Sequence, residues 1–482
     1  MFKRSRLLTG LMIATLLASP LTAYSAGLPD MGTTAGATLS IDQEKIYGDA
    51  YMRMLRASRP IIHDPVLTDY VDALGHRLVA NANDVKTPFT FFLIQDKNIN
   101  AFAFFGGYVA LHSGLFLHAQ SESELASVLA HEIAHVTQRH LARSMEDQAR
   151  TSPATIAALA GSLLLAIAAP EAGIAALTAT QAGSIQNQIN YTRGNEKEAD
   201  RFGIATLSRA GFDVDAMPRF FGRLADEYRY ASKPPPMLLT HPLPEDRITD
   251  SRERARHYPH HTVAPSLDFH LARARVVARY SDMGMNTALD WFERAEKQAE
   301  PMLKAAYQYG QALIYLDNNQ TEKAEPLLLT LNQHTPNNAF YLDALSDLYL
   351  NQQRPEKAQQ LLEQALKVKP TNSVLLINYA NVLIQQHKNN EALTILQRYT
   401  HDHPDDTSGW SLLSKANINL GHNDEDLAAR AEIWALKAQW GKAIQYYTQA
   451  SQVTELGSLK QARYDARIDQ LLIQREQFQS LQ

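Results

Sequence analysis

Ser121-Glu122-Ser123-Glu124-Leu125-Ala126-Ser127-Val128-Leu129-Ala130-His131-Glu132-Ile133-Ala134-His135 decides how the first half of the chain is read. Serine followed three residues later by glutamate has the form of a capping box, so a helix is expected to open here and run over about 121–144. His131 and His135 lie four residues apart, about 40° around such a helix, and both imidazoles leave from one face. One metal ion can sit between them. Glu132 lies about 100° from His131, near enough to reach a water on the metal without binding the metal itself. That is the mechanical content of the HExxH pattern.

Two imidazoles need a third ligand. The 482 residues contain no cysteine, which leaves only histidine or a carboxylate. Gly194-Asn195-Glu196-Lys197-Glu198-Ala199-Asp200 opens a second helix, expected over about 195–210. Glu196 and Asp200 share one of its faces. Glu196 is therefore the candidate third ligand, and Asp200 can hydrogen-bond a ligating imidazole and fix its orientation. Glu198 is expected to point away into solvent.

Around these helices, Phe89–Ile94 and Gly107–His112 read as strands from their aromatic and β-branched content. Further helices are expected near 42–58 and 65–82. Few strands among many helices make this part helix-dominated α+β.

The second half announces itself by period. Pro336, Pro370 and Pro404 are 34 residues apart, as are Ala324, Ala358 and Ala392. The small residues Ala312, Ser346, Ala380 and Ser414 keep the same period. Three registers sharing it indicate an all-α tetratricopeptide-repeat solenoid, which offers a concave surface to proteins or peptides. After Pro404 the register slips: Ala443 follows Ala392 by 51 residues, one and a half periods. An extra helix near 425–439 is inferred, and a weaker repeat is expected between about 267 and 301. The boundary between the halves falls in the proline-punctuated stretch Tyr258–Pro265, giving domains over 27–264 and 265–482.

Lys3, Arg4 and Arg6, the uncharged run Leu7–Leu21 and the small residues Ala23–Ala26 make residues 1–26 a secretory signal peptide. Residues 27 to about 45, rich in Gly, Ser and Thr, are expected to be extended. Export without disulfides fits the periplasm of a bacterium. A net charge of −5 gives no reason to expect a nucleic-acid partner. Residues 151–190 are apolar and largely uncharged, broken at Pro170-Glu171, and read either as cover for the active-site groove or as a peripheral membrane contact.

The order His131-Glu132-x-x-His135, Glu196-x-x-Ala199-Asp200, Thr240-His241-Pro242 and Arg247-Ile248 resembles the M48 family of metallopeptidases. Asn100–Ala103 and Gly106-Gly107-Tyr108 resemble that family's edge strand. The resemblance implies a zincin-like peptidase domain binding one zinc ion through His131, His135 and Glu196, with Glu132 as catalytic base and Asp200 assisting. It leaves His241 either stabilising an oxyanion or closing the metal as a fourth ligand, a plug on a proline-rich loop. An extended substrate is expected to pair with the strand near Tyr108–Ser113. Together with the signal and repeats, the resemblance implies a periplasmic zinc endopeptidase with chaperone-like activity. Its substrates would be unfolded or misassembled outer-membrane proteins, and its repeats would dock on the β-barrel assembly machinery. The alternative is a repeat-based scaffold in which proteolysis is secondary.

Overall fold

The computed structural model describes residues 39–151, 182–230, 235–260 and 262–479. The signal peptide and most of the apolar segment at 151–190 lie outside the described residues. Helix α1 spans Ile41–Ser58 and opens on a complete capping box between Ser40 and Gln43. This corrects the expectation of an extended chain to residue 45: the box satisfies the free amides of the first turn.

After α1 come β1 (Ile61–Ile62), α2 (Pro65–Val79), β2 (Thr90–Ile94), β3 (Ala101–Phe104) and β4 (Tyr108–His112). Asp64 caps α2 and Pro65 occupies its first turn, where no amide donor is needed. The four strands lie in the order β1-β2-β4-β3, with β2 and β4 parallel and the outer pairings antiparallel. The tight turn from β3 to β4 uses Gly106 and Gly107, at φ 77° and 80°. A Cβ on Gly107 would stand 1.9 Å from the Pro88 carbonyl oxygen, so no other residue fits.

Next come α3 (Gly114–His118), α4 (Glu122–Thr137), α5 (His140–Thr151), α6 (Ala182–Arg209), α7 (Ala216–Tyr228), α8 (Pro236–Thr240) and α9 (Glu245–Ala255). Twelve described helices follow as hairpins, from Leu267–Tyr280 and Met285–Glu296 to Trp440–Val453 and Leu459–Gln479. The weak first repeat is that first pair. A helix does stand where the extra one is expected, Asn423–Leu436, but it pairs with Thr407–Asn419 as the second helix of a hairpin, with Asp426 34 residues after Ala392. Ala324, Ala358 and Ala392 are fully buried where paired helices cross. Pro336, Pro370 and Pro404 each fall two residues after a second helix, at His334, Val368 and Asp402.

The two halves share one core. Val66, Leu67 and Tyr70 of α2 belong to the same apolar cluster as Phe269, Tyr309 and Phe340 of the repeats. Helix α2 packs against three repeat helices, Leu267–Tyr280, Ala339–Asn351 and Ser373–Gln385. On the other side, buried Arg53 of α1 donates to the Ala435 carbonyl at 2.7 Å and lies over the Trp440 ring. Among the described residues, no helix is long and apolar enough to cross a membrane.

Candidate metal centre

Helix α4 begins with a modified cap. Ser121 Oγ accepts from the Glu124 amide, but Glu124 reaches one residue further back, to the Gln120 amide at 2.7 Å. Both Glu124 oxygens also accept from Arg223, which anchors the helix start against α7. The helix stops at Thr137, short of the expected residue 144. Arg139 adopts φ 53°, and its guanidinium is held by Glu44 and by the Leu39 carbonyl. These contacts stabilise a left-handed residue that would otherwise be unfavourable, and the chain restarts as α5.

Helix α6 packs along α4. Gly203 allows the close crossing, since a Cβ there would stand 3.3 Å from the His131 amide nitrogen. The approach brings Glu196 to the HExxH face. His131 Nε2 is 3.0 Å from His135 Nε2 and 3.3 Å from Glu196 Oε2. His135 Nε2 is 3.4 Å from Glu196 Oε1. His241, which caps the C-terminus of α8, places Nδ1 3.1 Å from Glu196 Oε1 and 3.3 Å from His131 Nε2. One ligand atom from each of the four residues lies within 4.8 Å of all the others.

These atoms are a poor set of hydrogen-bond partners for one another and a good set for a cation. Three imidazoles and a carboxylate converge in a buried space. The separations of 3.0–3.4 Å are close to the ~3.3 Å edge of a tetrahedron with bonds of ~2.0 Å, and no pair exceeds 4.8 Å. Glu132 is fully buried beside them, and its Oε1 has no hydrogen-bond partner. An orphaned buried carboxylate oxygen is costly unless it is reserved for chemistry.

The surroundings set the charges. His131 Nδ1 lies 2.9 Å from Asp200 Oδ1. Burial alone would lower the His131 pKa, but its bonds to Asp200 and Glu196 outweigh it and raise the value to about 9. The cluster thus attracts positive charge strongly at this imidazole, as a proton or as a metal. Glu196 and Asp200 are held ionised against burial by the neighbouring cations.

Arg247 of α9, 2% exposed, supplies much of that charge. It donates Nε and Nη2 to the two oxygens of Asp200 at 2.6 and 2.9 Å, and its Nη1 lies 2.7 Å from Glu196 Oε2. In the sequence Arg247 stands in the Arg247-Ile248 pair, and nothing in the spacing assigns it a role.

Two further expectations are corrected. Glu198 does not face solvent freely: it accepts from His140 Nε2 at 3.0 Å and from Arg143 Nη2. His140 was missed altogether, and its Nδ1 lies 2.9 Å from His135 Nδ1. Burial drives the His140 pKa down to about 2, keeping the ring neutral. Strand β4 is flanked on both sides, by β2 and β3, so it has no free edge for a substrate. Among the described residues the longer outer strand is β3, which packs over α4.

Two imidazoles and a carboxylate around one point, with a second carboxylate held beside them, are what a metallopeptidase requires. Residues 65–255 match the model of peptidase family M48, and residues 349–416 match a tetratricopeptide-repeat model. The chain is 74% identical over 455 residues to the putative beta-barrel assembly-enhancing protease of Vibrio cholerae, covering 94% of each chain. It is 49% identical to the beta-barrel assembly-enhancing protease of Escherichia coli K12, over 97% of each. A solved tetratricopeptide repeat protein from Parabacteroides merdae is similar over 53% of this chain and 98% of its own, at 14% identity and a TM-score of 0.29. At the identity and coverage of the two proteases, the chain belongs to their group within peptidase family M48 and is a metallopeptidase carrying tetratricopeptide repeats.

Proposed function

We propose that this chain is a zinc endopeptidase of the bacterial periplasm that acts on unfolded or misassembled outer-membrane β-barrel proteins and assists their assembly. The observation that carries the reading is the convergence of His131, His135 and Glu196 beside Glu132, whose Oε1 makes no hydrogen bond and lies 3.5 Å from His241 Nε2. Those three would hold the ion. Zinc bound there would polarise the scissile carbonyl and make a nearby water acidic enough to attack near neutral pH. Glu132 takes the proton from the attacking water and delivers it to the leaving amine. Asp200 keeps the Nδ1 side of His131 occupied, so that Nε2 faces the cluster.

Strand β3 suits an extended client. Among the described residues it has no strand on its outer side, where a client could add as one more strand, an attachment that gives affinity with little sequence preference. A client so bound runs along the helix that carries the HExxH pair. The repeats suit docking on the assembly machinery, consistent with the names of the relatives. His241 is read as a plug. The Met237 amide donates to the Ile99 carbonyl, two residues before β3, and the His241 amide donates to the Met237 carbonyl. The segment holding His241 in the cluster is thus fastened beside the edge that a client would occupy.

Glu132→Gln tests the core of the reading. Cleavage of an unfolded outer-membrane protein is expected to vanish while one zinc per chain is retained. Cleavage that persists in this variant would refute the assignment.

A further inference from the structure

With the His140 ring neutral, the contacts behind His135 form a chain with one consistent placement of protons. Glu198, as a carboxylate, can only accept. His140 Nε2, 3.0 Å away, therefore donates to it. A neutral imidazole with its proton on Nε2 offers Nδ1 as an acceptor. His140 Nδ1 is 2.9 Å from His135 Nδ1, so His135 donates there. That leaves the lone pair of His135 on Nε2, the nitrogen that faces His131 and Glu196.

The chain is anchored at its far end. Arg143 donates to Glu198 and also to Asn195 at 3.1 Å. The His140 side chain is 4% exposed and that of Glu198 25%. His140 and Arg143 belong to α5, whereas Asn195 and Glu198 belong to α6. Two helices are thereby joined to a single ring nitrogen.

We propose that His140 and Glu198 are positioning residues that hold His135 in its metal-binding tautomer and rotamer, as Asp200 does for His131. The inference rests on the zinc reading above. Neither residue reaches the cluster itself. Their effect runs through the His135 Nδ1 proton: a ring whose Nδ1 lacks an acceptor can turn, or carry its proton on Nε2, and then offers no lone pair to a cation.

The test is zinc affinity of the full-length mature chain, stripped of metal and titrated with zinc against a chromophoric chelator. His140→Phe keeps the bulk of the ring but accepts nothing, and is expected to weaken zinc binding about 10–100-fold. His140→Gln, whose amide both accepts and donates, is expected to recover most of the loss. The metal-free His140→Phe chain is expected to melt where the metal-free wild type melts. If it melts lower, Glu198→Ala decides, because its side chain is partly exposed: weakened zinc binding there upholds the relay, and wild-type affinity overturns it. Wild-type affinity in His140→Phe overturns it directly. A wild-type chain that takes up no zinc would instead refute the metal reading on which the relay depends.

Discussion

Arg275 Nε donates to Asp64 Oδ2 at 2.6 Å across the join between the peptidase half and the repeats, and both side chains are buried. Asp64 uses its other oxygen to cap α2, accepting from the Val66 and Leu67 amides. Arg275 also reaches the Tyr309 hydroxyl at 2.8 Å and Asp343 Oδ2 at 2.7 Å. One guanidinium therefore ties the start of a peptidase helix to two repeat helices.

Removing that guanidinium leaves two buried carboxylates without their cation. Arg275→Leu is expected to destabilise the chain by about 3–5 kcal/mol, the usual effect of breaking a buried pair from one side. Asp64→Asn keeps the cap and should lose less. Urea unfolding followed by circular dichroism measures both. A loss below about 1 kcal/mol in Arg275→Leu would show that solvent already screens the group.

The same network makes stability depend on pH. Partial burial and the nearby Asp343 carboxylate raise Asp347 to about 7, against the pull of Arg279 and Arg275. A carboxyl group whose pKa is higher in the folded state favours folding when protonated. Its contribution is present at low pH and is lost as pH rises through about 7. Asp347→Asn should therefore gain on the wild type between pH 5 and pH 8. With 41% of the Asp347 side chain exposed, the gain is expected to stay below about 1 kcal/mol. Melting temperatures across that range would contradict this if the gap between the two proteins were constant.

Arg247 and a metal ion both place positive charge beside Glu196 and Asp200. Arg247→Met should consequently cost the metal-free chain about 3–5 kcal/mol. Bound zinc should compensate part of that loss, so the variant gains more from zinc than the wild type does. Urea unfolding with and without zinc checks the difference, and equal gains in both proteins would contradict it.

His241→Ala separates the roles open to this histidine. As a plug, its removal should raise cleavage of an unfolded client while zinc stays on the remaining three ligands. A fall in cleavage with zinc retained would point instead to stabilisation of the oxyanion. No change in either cleavage or zinc geometry would leave it only a packing role.

The HExxH helix was legible because helical spacing alone sets which side chains share a face, and the same holds for Glu196 and Asp200. Contacts that depend on a break in that spacing were not. Continued as one helix, the chain would place His140 about 140° around from His135. The left-handed Arg139 turns it back to touch that residue. Glu198 looked solvated because its partners come from the far side of the same break. The free edge of the sheet was misplaced because strand order in sequence differs from order in space: β4 enters beside β2, leaving β3 outside. The repeats, by contrast, were readable from period alone.

The core shared by α2 and the repeats has a mechanical consequence. A swinging arm needs a narrow waist, and the described residues between Val66 and Phe340 form none. Any client gathered on the solenoid would meet the cutting site at a fixed reach, as on a workbench with a bolted vice. Whatever admits them must yield locally, and the small clasp between Met237 and Ile99 is far weaker than the joint between the halves.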